Sequence, residues 1–284
     1  MIRPEYTVGQ FYTISHITAP GKRTGFLPVF IVLPVPQRFT GILYCDSFRT
    51  ETMKKEGQSI LPDILPVCRS KEEAKQYYDR ISKGYDYLAG VYERKYAGIA
   101  LKQLFINEGE TVLETGFGTG HCLKRIAESV GEKGKVYGVD ISSGMLKVAR
   151  NRLEKAHLIE RVELYCGDAA ALPYDDSFFD AIFMSFTLEL FDTPEIPVVL
   201  EEVKRVLKPG GRAGIAAMSR ENGSSLMLRL YEWSHKKWPA YADCRPIYLE
   251  RSLTGAGYDI RNREILKLFG LPVEIVIAIK KTGV

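Results

Sequence analysis

The residues whose spacing most clearly serves chemistry are three glycines at alternate positions in Val112-Leu-Glu-Thr-Gly-Phe-Gly-Thr-Gly120. A short apolar run precedes them and an amphipathic run follows, so they form a tight turn between a strand and a helix. Glycine there lets a ligand approach main-chain amides that a Cβ would shield. About twenty residues later Val139-Asp140 ends a second strand, and a carboxylate at that tip can accept both hydroxyls of a ribose. The combination predicts a nucleoside site.

Detail decides which nucleoside. The dinucleotide fingerprint Gly-x-Gly-x-x-Gly would need glycine at 121, where His121 stands, and its ring would obstruct both close helix–strand packing and a pyrophosphate. Glu114, just before the loop, repels a diphosphate and attracts a cationic amino acid group. S-adenosylmethionine carries an ammonium and no phosphate, and is the expected cofactor. His121 itself reads as a surface or capping residue at the first turn of a helix.

The elements that must position these residues alternate. Thr111–Thr115, Lys135–Asp140, Val162–Cys166, Asp180–Phe186 and Arg212–Met218 read as strands, with amphipathic stretches at 119–130, 142–156 and 194–207 between them. Such alternation implies right-handed crossovers and a parallel sheet. Lys208-Pro-Gly-Gly211 is expected to close the preceding helix at Leu207. Two long strand-like runs, Tyr258–Phe269 and Pro272–Lys281, suggest an antiparallel hairpin at the sheet edge, turning at Gly270-Leu-Pro272. Upstream, Ser70 can cap one or two helices running to about Phe105. The fold class is α/β: a Rossmann-like, mostly parallel seven-stranded sheet with helices on both faces and a C-terminal antiparallel hairpin.

Residues 1–69 read differently, as an irregular or weakly β N-terminal extension, and 70–284 as the main domain. Met1 to about Thr52 is rich in proline, glycine, threonine and aromatics, and Met53 opens either a linker or the true translation start; both readings stand. The run Phe26–Pro36 falls short of the roughly 20 residues that span a bilayer and is broken by prolines, so no transmembrane segment is expected. Thirty-nine Lys+Arg against 35 Asp+Glu, with no long block of either sign, name no charged partner. Five scattered cysteines without a Cys-x-x-Cys pair suggest neither a disulfide framework nor a metal site, and a reducing cytoplasm is the default.

Glu114–Gly120, Gly138-Val-Asp-Ile-Ser-Ser-Gly-Met-Leu146, Gly167-Asp-Ala-Ala-Ala-Leu-Pro-Tyr174 and Leu207–Gly211 follow in the order and spacing of class I methyltransferases, which this sequence resembles over about 72–284. More closely, Tyr78-Asp-Arg-Ile-Ser-Lys-Gly-Tyr-Asp86 and Asp175-Asp-Ser-Phe-Phe-Asp180 are similar to the ubiquinone/menaquinone-biosynthesis type. The resemblance implies that Glu114 and the backbone of Gly116, Gly118 and Gly120 hold the methionine part. It implies that Asp140 takes the ribose hydroxyls, that Ile141 and Met145 flank the adenine, and that Asp168 with the Ala169 amide reads its edge. Tyr85 would close over the sulfonium, with Ser185 beneath it.

The acceptor side is less defined. Glu189 follows strand four where acceptor-facing residues belong, although an exposed helical glutamate is the bland alternative. His235 lies in an aromatic insertion with Trp233, Trp238 and Tyr241, which either lines the acceptor pocket or forms a small core of its own. Tyr85, Glu189 and His235 are the candidate catalytic residues. Strand four ends Met184-Ser-Phe-Thr187 instead of Asn/Asp-Pro-Pro-Tyr/Phe, so a nucleic-acid acceptor is not expected. The apolar character of 225–250 and of Leu266, Leu268, Phe269 and Leu271 points to a small hydrophobic or aromatic acceptor, quinone-precursor-like or lipid-like. Two other classes stay open, a nicotinamide-dependent oxidoreductase and a noncatalytic nucleoside-binding partner subunit; a homodimer is one option for the assembly.

Overall fold

The central strands carry apolar residues at consecutive positions, as strands covered on both faces must. The structure, a computed structural model, describes residues 64–67, 69–88, 90–221, 228, 230–233 and 244–282. The expectations for residues 1–52, for Met53 and for His235, Trp238 and Tyr241 lie outside the described residues.

Seven strands form one sheet: β1 (Thr111–Thr115), β2 (Lys135–Asp140), β3 (Val162–Cys166), β4 (Phe179–Ser185), β5 (Leu207–Met218), β6 (Tyr258–Leu268) and β7 (Leu271–Lys280). Their order is β3-β2-β1-β4-β5-β7-β6. The first five pair in parallel, and β7 runs antiparallel to both of its neighbours. The chain order reverses on either side of β1, which makes the carboxyl ends of β1, β2 and β4 the crevice where such sheets bind ligands.

Side chains alternate between two cores. Leu113, Val139, Ile182, Met184, Ile215 and Val276 face one core, with α6 (Ile196–Val206) and α7 (Leu249–Gly255) packed there through Val199, Val203 and Leu253. Val112, Val136, Ala181, Phe183, Ala216 and Ile275 face the other. That second face is covered by α3 (Gly90–Leu104), α4 (His121–Val130) and α5 (Ser143–Lys155) through Leu104, Leu123, Ile126, Ala149 and Leu153. The helices therefore cover both faces, as the sequence predicts.

Three details differ from expectation. The hairpin turns at Phe269-Gly270, both with positive φ (51° and 86°), and Pro272 lies inside β7 opposite Lys267. Two consecutive left-handed residues match the twist of the strands, so a two-residue turn wins. Lys208–Gly211 bulges out of β5 while the ladder jumps from Phe179↔Leu207 to Ala181↔Arg212, so β5 starts immediately where α6 stops. The N-terminal helical stretch is three pieces: α1 (Lys71–Ile81), α2 (Tyr85–Leu88) and α3. Ser70 caps α1 as expected, accepting from Glu73 N while Glu73 Oε2 accepts from Ser70 N. Just before that cap, Leu65 O accepts from Arg245 Nη1 at 3.1 Å, and Val67 N donates to Asp192 Oδ1 at 3.2 Å.

Candidate functional site

The strand-to-helix turn is shaped by what each glycine must avoid. Gly116 (φ +67°) donates its N–H to Val139 O at 2.7 Å, and a Cβ there would lie 2.3 Å from the Thr187 side chain. Gly118 (φ +53°) borders open space, with nothing within 4 Å of where a Cβ would stand. Gly120 does not line the cleft; it is the N-cap of α4, packed so closely that a Cβ would be 2.8 Å from Ala149 Cβ. α4 begins there with no side-chain cap.

Open space beside Gly118 continues into a cleft of about 340 Å³. Glu114, Gly116, Gly118 and Asp140 line it around the loop. Ile141, Met145, Asp168 and Ala169 line it beyond β2 and β3, and Ser185 at the tip of β4 and Tyr85 on α2 complete the predicted set. The structure thus brings together nine of the ten predicted cofactor residues and Tyr85, leaving Gly120 behind the wall.

Asp140 is held by two amides, Gly118 N to Oδ2 and Ser142 N to Oδ1, both at 2.8 Å. Burial pushes its carboxyl up to about 6 despite those bonds. Glu114 is 3% exposed, and its Oε2 has no hydrogen-bond partner. Burial, reinforced by the neighbouring Asp140, raises its carboxyl well above the usual range. A buried acid without a counter-charge is unfavourable unless a cation joins it. Asp168 is occupied on both sides: Oδ1 accepts from Ala170 N at 2.9 Å, and Oδ2 meets Lys71 Nζ at 2.6 Å.

Several residues in or beside the cleft, Asp79 behind it and Asp86 and His121 on its wall, are not marked as site residues by the sequence. Asp79 Oδ1, on α1, accepts from Ser142 Oγ and Gly144 N, both at 2.7 Å, and so ties α1 to the start of α5. Asp86 Oδ1 accepts from Thr119 Oγ1 at 2.6 Å and meets Arg94 Nη2 at 3.2 Å, while Oδ2 pairs with Arg152. Burial opposes its ionisation, yet the Thr119 hydroxyl and the Arg152 guanidinium hold its carboxyl at about 2. His121 lines the cleft and does not cap its helix; Nε2 stands 3.1 Å from Asp86 Oδ2, and burial with the Arg152 charge keeps the ring below its ordinary value. The available signal was the repeated Tyr-Asp pair, Tyr78-Asp79 and Tyr85-Asp86, whose two acids recur at a heptad spacing on helical segments.

Glu189 is neither exposed nor on the cleft wall. It is 0% exposed, with Oε1 accepting from Met218 N at 3.0 Å and Oε2 unpartnered. The exposed-helix reading is therefore corrected: the residue lies in a single 3-10 turn between Leu188 and Leu190, and the turn points inward. Phe186, Leu190 and Phe191 give the cleft an apolar and aromatic wall next to Ser185. Among the described residues no group of three or more His, Cys, Asp or Glu could hold a metal ion, and no helix is long and apolar enough to cross a membrane.

Residues 112–211 match the methyltransferase domain family. The chain is 32% identical over 221 residues to a demethylmenaquinone methyltransferase from Symbiobacterium thermophilum, covering 71% of this chain and 87% of that protein. It is 34% identical over 174 residues to a 2-phytyl-1,4-naphtoquinone methyltransferase from Nostoc punctiforme, covering 61% and 69%. Among solved structures, the [4+2]-cyclase SpnF superposes with a TM-score of 0.63 at 20% identity, over 77% of this chain and 99% of that one, a likeness of fold alone.

Proposed function

This chain belongs to the class I S-adenosylmethionine-dependent methyltransferases of the quinone-biosynthesis type, and from that premise we propose that its methyl acceptor is a quinone-type aromatic ring. The residues fit the cofactor. Glu114 offers a buried carboxylate oxygen with no partner, and each Asp140 oxygen, bonded to one amide, can accept again. When bound, S-adenosylmethionine supplies an electrophilic methyl group whose leaving group is a neutral thioether.

In this reading Glu114 holds the ammonium, with the Gly116 and Gly118 backbone beside it, and Asp140 holds the ribose hydroxyls. Ile141 and Met145 flank the adenine, with Asp168 and Ala169 at its edge. Gly120 acts indirectly, by letting α4 approach α5. Tyr85 and Ser185 bracket the reacting end, and the Phe186, Leu190 and Phe191 wall receives the acceptor ring. What these side chains contribute is orientation and exclusion of water, and well-oriented reactants account for roughly 7–11 kcal/mol of a barrier. Glu189, buried behind the wall, supports Met218 and takes no part in contact with the acceptor. The working compartment is the cytoplasm.

The observation that carries the acceptor is the aromatic wall beside Ser185 in a chain whose relatives are named for naphthoquinone substrates. The test is incubation of the protein with labelled S-adenosylmethionine and a reduced naphthoquinone lacking the ring methyl. Label is expected on ring carbon. Label on an aliphatic amine or a carboxylate in a parallel panel, with none on the naphthoquinol, would overturn the acceptor.

A further inference from the structure

A cofactor bearing an amino acid presents a carboxylate as well as an ammonium, and the cleft is poor in places for it. Glu114, Asp140, Asp168, Asp192, Glu195 and Glu93 all line the wall, so an incoming anion meets repulsion over most of the surface. Among the described residues, the lysine and arginine side chains that line it are Arg69, Lys71 and Arg94. Lys71 is bound to Asp168 and Glu195. Arg69 lies over the Tyr77 ring, 4.2 Å from its centroid.

Arg94 differs in place and in surroundings. It shares Asp86 Oδ1 with the Thr119 hydroxyl, which puts the guanidinium at the glycine loop. Its Nε is buried and makes no hydrogen bond among the described residues. Asp86 also pairs with Arg152, so two guanidinium groups share one carboxylate and Asp86 alone does not neutralise Arg94. Glu93 and His121 stand next to it; the Tyr85 hydroxyl donates to Glu93 at 3.2 Å, and the ring of His121 is held below its ordinary value by burial and the Arg152 charge. Glu114 and Arg94 line the same cleft, so two side chains of opposite charge face one space. That is the pairing a zwitterionic α-amino acid requires, because its ammonium and carboxylate hang from one carbon.

We propose that Arg94, oriented by Asp86, is the binding residue for the α-carboxylate of the cofactor's amino acid group. The inference rests on the methyl-transfer reading above and deepens it. Asp86 is a positioning residue here, touching the guanidinium and the glycine loop.

Calorimetry on the full chain with three probes tests it: S-adenosylhomocysteine, its decarboxylated analogue, and 5′-methylthioadenosine, which lacks the amino acid group. The unsubstituted protein should prefer S-adenosylhomocysteine over the decarboxylated analogue by about 10- to 100-fold, the range expected of a hydrogen-bonded charge pair. Arg94→Met should abolish that preference and leave 5′-methylthioadenosine binding unchanged, while Arg94→Lys should recover part of it. A preference that survives Arg94→Met, or an equal loss for all three probes, would overturn the assignment, the latter by making Arg94 a packing residue. Absence of binding by every adenosyl probe to the unsubstituted protein would instead sink the methyl-transfer reading itself.

Discussion

Lys71 Nζ lies 2.6 Å from Asp168 Oδ2 and 2.8 Å from Glu195 Oε1, so one ammonium joins the loop after β3 to the start of α6. Burial works against that charge, but the two carboxylates outweigh it and hold the lysine above its ordinary value. At the far end of α1, Asp79 is fixed to the first turn of α5. α1 is therefore strapped along the cleft at both ends, and Lys71 occupies the carboxylate proposed to read the adenine edge.

Lys71→Met should make bound S-adenosylhomocysteine dissociate several-fold faster, with little change in melting temperature. Both contacts are partly exposed, at 38% for Lys71 against 30% and 39% for its partners, so each is worth only about 0.2–1 kcal/mol. Raised salt should accelerate release from the unsubstituted protein towards the variant's rate, because exposed pairs are screened. Stopped-flow displacement reads both effects; equal rates in the two proteins at low salt would remove Lys71 as a strap.

Asp140→Ala should weaken cofactor binding by about 10- to 100-fold, since hydrogen bonds to a charged group contribute on the order of 1.5–3 kcal/mol. The amides of Gly118 and Ser142 lose their shared acceptor at the same time, so the glycine loop should also loosen. Unchanged calorimetric affinity would refute the placement of the ribose.

Gly116→Ala should cost about 2–5 kcal/mol of stability: roughly 1–2 for a left-handed backbone at a residue with a Cβ, and about 1–3 for overpacking. The new methyl would stand 2.3 Å from Thr187 Oγ1 and Cγ2. Thr187→Ala in the same chain relieves only the crowding, so chemical denaturation of the double variant should return part of the loss. Complete recovery would mean that the backbone carries no strain.

What could be read from the sequence was local. The glycine loop, Asp140 and the alternating strands declare themselves within a window of neighbouring residues, and the structure assembles them as expected. Lys71 meets an acid 97 positions away, Asp79 one turn of helix 65 positions away, and Asp86 a threonine 33 positions away. No pattern within α1 or α2 encodes those partners; only packing of the helices over the cleft does. Pro272 misled in another way: it suits a turn, but Phe269 and Gly270 already supply two left-handed residues, so the proline falls in the strand. Glu189 in Leu188-Glu-Leu190 gives no periodic sign of burial, because one 3-10 turn is too short to have a face.

The burial of Glu189 makes the stability of the fold depend on pH. Its carboxyl is pushed up to about 8 by burial, against which the amides of Glu189 itself and Met218 work only in part. The ordinary value is 4.5. Between those two values the folded chain holds a proton that the unfolded chain has released, so stability falls as pH rises from about 4.5 to about 8, then levels off. Below 4.5 both states are protonated and the group contributes no pH dependence. Glutamine imitates the protonated acid: its amide oxygen can still accept from Met218 N, and no proton is left to lose. Glu189→Gln should therefore flatten the decline over this window and leave the protein more stable than the unsubstituted chain at pH 8, by a few kcal/mol. Near pH 5 the two should melt within a degree or so of each other. Thermal denaturation of both proteins from pH 5 to 9 measures the difference. Parallel curves over the whole range would show that Glu189 folds in already ionised, paired with a charge such as Arg245, whose own burial lowers its value.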